Sequence, residues 1–148
     1  MSIRYAHTNL VARDWRALAR FYADHFGCVQ VGHERDLKGP ELDAGVGVAG
    51  ASIRGVHLRL PGHGDDGPTL EIFHYEPEVD GPEPSPRRPG WGHIAFQVDD
   101  VAAHRAAILA AGGSAVGALV TMASGPHPVT WCYVADPEGN VIELQRWG

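Results

Sequence analysis

Residues 91–101 read WGHIAFQVDDV, and residues 5–15 read YAHTNLVARDW. Each sets a histidine seven residues ahead of an aspartate, His93 before Asp100 and His7 before Asp14. A second pair of segments repeats in the same way. Gly67, Leu70-Glu71-Ile72 and Tyr75 are matched in spacing by Gly139, Ile142-Glu143-Leu144 and Trp147. A duplicated unit changes how every residue inside it is read. Here it gathers four scattered ionisable residues, His7, Glu71, His93 and Glu143, into one symmetric set.

Working outward from these segments, each half begins as a strand followed by a helix. Residues 3–10 alternate, with Ile3, Tyr5, His7 and Asn9 on one face and Ala6, Thr8 and Leu10 on the other, the period of a half-buried strand. Asp14 suits an N-cap, Leu18, Phe21, Tyr22 and Phe26 recur at helical spacing, and Gly27 supplies the stop. In the second half, Gly92, Ile94, Phe96 and Val98 alternate with Trp91, His93, Ala95 and Gln97; then Asp99 or Asp100 caps a helix that ends near Gly112-Gly113. Three further strands are expected in each half, over residues 28–35, 46–60 and 68–75 and over 114–121, 128–135 and 140–146. The reading is one domain, 1–148, built of a module 1–76 and a module 91–148. Their connector, 77–90, is rich in proline, which forbids helix and discourages a central strand. The glycine-rich stretch from Gly39 to Gly55 reads equally as a hairpin or as a mobile cover over a pocket.

Composition bounds the function. A chain of 148 residues suits a single domain that buries about two-thirds of its unfolded surface. Cys28 and Cys132 are isolated and form no CxxC, so they read as small buried hydrophobes in a reducing cytoplasm. No apolar run approaches the ~20 residues of a membrane span, and MSIRYAHTNL lacks the apolar core of a signal peptide. Twelve basic against 18 acidic side chains, with no basic cluster longer than Arg87-Arg88, leave no electrostatic footprint for nucleic acid. A small molecule is the expected partner.

Side-chain parity then places the four residues. Leu70 with Ile72, and Ile142 with Leu144, point opposite to the glutamate between them and belong under the helices, so Glu71 and Glu143 face the other way. His93, opposite Ile94 and Phe96, shares that face. Two imidazoles and two carboxylates suit a divalent ion such as Zn²⁺, Ni²⁺, Co²⁺, Mn²⁺ or Fe²⁺, whose charge the carboxylates neutralise.

The stretches HTNLVARDWRALARFYADHFG (7–27), LEIFHY (70–75), GHIAFQVDDV (92–101) and DPEGNVIEL (136–144) resemble the vicinal oxygen chelate superfamily. That superfamily includes glyoxalase I, methylmalonyl-CoA epimerase, extradiol dioxygenases and the bleomycin- and fosfomycin-resistance proteins. The resemblance covers nearly the whole chain. It implies an α+β fold of two paired βαβββ modules, whose curved mixed sheets form a cup around one divalent metal held by His7, Glu71, His93 and Glu143. It also implies proton transfer through a metal-stabilised enolate on a small oxygen-chelating substrate, with Glu143 as base and Glu71 second. The full His/Glu/His/Glu set looks most like glyoxalase I. No glutathione-contacting residues are matched, so the reaction class is better marked than the substrate. The family leans towards homodimers, and the cup closes either within one chain or by exchange of modules between two.

Two rival readings stand beside this one. A ring-cleaving dioxygenase needs two histidines and one carboxylate with open positions, which a fourth ligand at Glu71 crowds. A metal-free ligand-sequestering protein of the bleomycin-resistance type would line its cup with aromatics, for which Trp91, Trp131, Trp147 and Phe73 are available, although such residues on strands are more often core. Among the remaining histidines, His25, His57, His63, His74 and His104 read as surface or satisfied groups; His33 and His127 are candidate proton carriers, and Arg54 and Arg59 candidate partners for an anionic substrate group.

Overall fold

The computed structural model describes residues 2–148; Met1, the first residue of the expected first module, lies outside the described residues. The chain divides into two compact units between Asp80 and Gly81, inside the proline-rich connector. In unit 1 the order is β1 (His7–Val11), α1 (Trp15–Phe26), β2 (Val29–Lys38), α2 (Pro40–Val46), β3 (Ser52–Arg59) and β4 (Thr69–Glu76). Its sheet runs β1-β4-β3-β2, with β1 parallel to β4 and the other pairs antiparallel. Unit 2 contains β5 (Ile94–Gln97), α3 (Val101–Ala110), β6 (Ser114–Ala115), β7 (Val120–Ser124), β8 (His127–Ala135) and β9 (Val141–Trp147). Here β5 lies parallel to β9 in the order β5-β9-β8-β6, and β7 also pairs with β8. The fold is α+β, with two mixed sheets.

Local chemistry sets the helix ends where the sequence implies. Asp14 accepts the Ala17 N–H at 3.0 Å, and Asp100 accepts the Ala103 N–H at 2.9 Å, each satisfying a donor the first turn leaves open. Gly27 closes α1 in the left-handed region, φ 66°, donating to the carbonyl of Ala23. The buried stripe of α1, Trp15, Leu18, Phe21, Tyr22 and Phe26, packs on the sheet side that holds Val56, Leu58, Leu70 and Ile72, all nearly inaccessible. In unit 2, Val101 and Ile108 of α3 are buried, as are Cys132, Val134, Ile142 and Leu144 of the sheet. Both cysteines are free and buried, and burial pushes the Cys28 thiol up to about 11.

Three sequence expectations shift. The first strand begins at His7 rather than residue 3, because its partner β4 begins opposite at Thr69; Ile3 and Tyr5 are exposed. The glycine-rich stretch holds a short helix between the antiparallel strands β2 and β3. Pro40 opens the short helix α2, and Asp43 closes the turn behind it by accepting the N–H groups of Gly50 and Ala51 at 2.7 and 2.9 Å, so the expected strand 46–60 starts at Ser52. The expected strand 114–121 is an edge in two pieces, β6 and β7. The N–H groups of Val116 and Gly117 both converge on the Tyr133 carbonyl, and this bulge interrupts the ladder.

Two polar clusters flank the central strands. Before β9, the buried Asp136 carboxylate accepts from the N–H groups of Glu138 and Asn140 and from the Asn140 amide at 2.9–3.0 Å. At the far end of β4, His74 presents Nδ1 to the Ala12 carbonyl and Nε2 to Glu76, both at 2.9 Å.

Two outcomes follow from this packing. A Cβ at Gly55 would lie 2.1 Å from the Ile72 carbonyl oxygen and 2.6 Å from the Phe73 ring, so Gly55→Ala should lower stability by about 1–3 kcal/mol in urea unfolding. Both His74 nitrogens face acceptors, so the bond it donates to Glu76, then that to Ala12, raises its pKa. A raised histidine stabilises the fold below its unfolded value of about 6.5 and loses that contribution as pH climbs through the folded value. The gap in urea midpoint between the native chain and His74→Gln should therefore be wider at about pH 5.5 than at about pH 8.5.

Candidate functional site

The face of each sheet turned away from its helix carries the candidate chemistry. In unit 1, Glu71 sits on the inner strand β4 between two neighbours: Asn9 is its register partner on β1 and His57 on β3. His7 Nε2 lies 2.9 Å from Glu71 Oε1, and His57 Nε2 lies 2.8 Å from Oε2. Asn9 Nδ2 reaches Oε1 at 3.5 Å. Glu71 is only 8 % exposed, and a buried carboxylate requires such partners. Behind His57, its Nδ1 meets the Thr69 hydroxyl at 3.1 Å. Burial pushes the His57 pKa down, Glu71 pulls it back up, and Arg35 and His7 push it further down. The His57 ring thus stands between the Glu71 carboxylate at Nε2 and the Thr69 hydroxyl at Nδ1.

Unit 2 repeats half of this arrangement. Glu143 occupies the inner strand β9, opposite Ala95 on β5 and Tyr133 on β8. His93, one residue ahead of β5, places Nε2 3.0 Å from Glu143 Oε2. The Tyr133 ring lies 4.9 Å from the His93 ring, and Trp131 stands 5.2 Å beyond it. Burial first, then the Glu143 charge, raises the Tyr133 pKa.

The sequence-derived residues are thus brought together in pairs, His7 with Glu71 and His93 with Glu143. Of the four, only Glu71 is buried; His7 keeps 45 % of its side chain exposed. Among the described residues, no group of three or more His, Cys, Asp or Glu side chains forms a ready-made metal cage. The pairs nonetheless have metal-ligand chemistry: each sets a ring nitrogen within 3.0 Å of a carboxylate oxygen, and a divalent ion binds such a pair by displacing the ring proton. Each pair, taken by itself, fits a partial ligand set.

Sequence reading passed over His57, taken there as a surface or satisfied group. The signal was its parity with Glu71 across the loop 60–68, but a loop of that length does not fix hairpin register. Other candidates fall away from the pairs. Arg54 shares the helix-side parity of Val56 and Leu58, and lies 3.8 Å from Asp36. Arg59, on the His57 face, pairs with Asp65 at 3.2 Å. His33 is exposed beside Arg35, and His127 is exposed at the start of β8. Trp91 is exposed and Phe73 buried, while Trp131 is half-buried on the Glu143 face.

The family model described as the Glyoxalase/Bleomycin resistance protein/Dioxygenase superfamily matches residues 4–144. The chain belongs to that superfamily. No curated protein matches the chain. Among solved structures, a glyoxalase family protein from Bacillus cereus has a TM-score of 0.77 at 16 % identity, covering 98 % of this chain and 93 % of that one. The fosfomycin resistance protein FosX from Listeria monocytogenes, complexed with Mn(II) and sulfate, has a TM-score of 0.55 at 16 % identity over 98 % and 93 %. TioX from Micromonospora sp. ML1 has a TM-score of 0.54 at 20 % identity over 97 % and 98 %. At these identities the likeness to the solved structures is one of fold. Among the described residues, no helix of this superfamily member is long and apolar enough to cross a membrane.

Proposed function

We propose that this protein is a metal-dependent glyoxalase-like enzyme, of lyase or isomerase type, that moves a proton between adjacent carbons of a small substrate bearing two neighbouring oxygens. One observation carries the reading: both units place a histidine Nε2 within 3.0 Å of the glutamate on the inner parallel-paired strand, at matching positions of the repeat. His7, Glu71, His93 and Glu143 together supply the two-imidazole, two-carboxylate set for one ion of the Ni, Zn, Co, Mn or Fe class. When bound, the ion acts as a Lewis acid on the substrate oxygens and acidifies the neighbouring C–H. Glu143 is the base, with 19 % of its side chain exposed against 11 % for Glu71, so a proton reaches it more readily. Glu71 is second. The two modules work as one domain, in a homodimer; the two buried free thiols suit the reducing cytoplasm.

A second reading rests on a separate observation. Trp131 and Tyr133 are half-buried and stacked edge to face on the Glu143 side of the unit 2 sheet. Such a wall suits a metal-free protein that sequesters a flat ligand.

Elemental analysis separates the two. About one transition-metal equivalent per chain is expected in the native protein, and none in the variant with His7, Glu71, His93 and Glu143 all replaced by alanine. Loss of C–H protons from α-hydroxy ketones in D₂O should then fall about 10²–10⁴-fold in Glu143→Gln. A native chain that stays metal-free after reconstitution makes ligand sequestration the better reading.

A further inference from the structure

We propose that Arg35 is an anion-binding residue whose Nε–Nη2 edge takes the carboxylate of a small organic acid on the polar face of the unit 1 sheet. Register places it there. Arg35 pairs with Gly55 across the antiparallel ladder of β2 and β3, as Val31 pairs with His57, and residues paired in this way share a face. Gly55 and His57 share theirs with Phe73 and Glu71 of β4. Between the two pairs the strands fall out of step, since β2 runs from Val31 to Arg35 while β3 runs only from His57 to Gly55. This bulge turns at Gly32, φ 71°, a conformation glycine takes freely, and a bulge re-aims the side chain beside it. The guanidinium folds back over the bulge: Nη1 lies 3.3 and 3.1 Å from the two ring nitrogens of His33 and donates to the His33 carbonyl at 3.2 Å. Its charge also reaches the histidine–glutamate cluster. Burial lowers the His57 pKa and Glu71 raises it, and Arg35 then lowers it again.

The other cations of unit 1 set Arg35 apart. Arg13 pairs with Glu78 and Asp80, Arg16 with Glu34, Arg54 with Asp36 and Arg59 with Asp65, while Arg4, Arg20 and Lys38 are exposed to solvent. Arg35 is half-buried, and among the described residues no carboxylate pairs with it. Its hydrogen bonds there go to His33 alone, all from Nη1. Nε and Nη2 thus keep the two parallel N–H groups of the guanidinium's side edge for a ligand, and that edge matches the two oxygens of a carboxylate. A cation partly stripped of water and lacking a counter-charge is stabilised by an anion that supplies both. On a chain of net charge −6, it is a local positive site against an opposing general field. Arg59 is the contrast on the same face, already paired with Asp65 at 3.2 Å. The substrate of the proposed reaction thus gains a carboxylate, while the Arg35 site itself needs no metal ion.

Titrating the chelator-treated full chain with pyruvate, followed by ¹⁵N–¹H correlations of backbone amides and arginine Nε–H groups, tests the site. Pyruvate should shift the Arg35 Nε–H signal saturably, and its uncharged methyl ester should not. Hydrogen bonds to a charged group are worth about 10–100-fold in affinity, so Arg35→Gln should weaken pyruvate binding by that factor. Arg35→Lys, which keeps the charge without the fork, should recover only part of it. Arg59→Gln should bind as the native chain does. Equal binding by the native chain and Arg35→Gln would overturn the assignment, as would equal binding of pyruvate and its ester, or no saturable binding by the native chain. Loss in Arg59→Gln with binding intact in Arg35→Gln would move the site to Arg59 and overturn it too. Circular dichroism checks the fold of each variant; where Arg35→Gln does not fold, the ester comparison and Arg35→Lys decide. Pyruvate binding by a chain that takes up no ion upholds the Arg35 site while the metal-dependent function falls.

Discussion

A carboxylate buried on the inner strand of a sheet must be paired, and unit 1 is arranged around that requirement at Glu71. At 8 % exposure the ionised group forfeits most of its hydration, a cost of several kcal/mol unless hydrogen-bond donors replace the water. Polar neighbours come from both flanking strands: His7 and Asn9 on β1, the latter donating through its amide, and His57 on β3. The parallel pairing of β1 with β4 therefore has a chemical as well as a topological consequence, since it sets His7 one strand away from Glu71. Ile72, the next residue, points to the opposite face and is wholly buried. One residue of register thus separates the hydrophobic core from the polar face.

The second unit shows how much of that arrangement a repeat must keep and how much it can change. The helix–sheet core is kept, with Ile142 and Leu144 inaccessible as Leu70 and Ile72 are. The histidine–glutamate pair is kept, at 3.0 Å against 2.9 Å. The residue facing the glutamate from the next strand is not kept. Histidine in one unit and tyrosine in the other give one face a second imidazole and the other an aromatic wall. The two units share these backbone positions, and their side chains there differ in chemistry.

Much of the fold could be read from the chain because its signals are local. Asp14 and Asp100 cap the helices that follow them, and Gly27 ends the first in a left-handed conformation that glycine adopts without cost. Alternation around Glu71 and Glu143 fixed which side chains lie under a helix. Segments whose form depends on a distant partner were read less well. The first strand begins at His7 because Thr69 is where its neighbour begins. The edge strand breaks between Ala115 and Val120 because two N–H groups share the Tyr133 carbonyl. The Gly39–Gly55 stretch was ambiguous because its turn is closed by Asp43, seven and eight residues ahead of the N–H groups it binds.

By itself the sequence determined the repeat, the helix ends and the faces of the two glutamates, because spacing and parity are properties of the chain, and its motifs carried the resemblance to the superfamily. Only the tertiary structure decided which third residue meets each glutamate. His57 and Glu71 are separated by the loop 60–68, and Tyr133 and Glu143 by the Asp136 turn; register across either connection depends on how whole strands align. That alignment is a cooperative outcome of packing both faces of the sheet at once, and no short stretch of the chain encodes it.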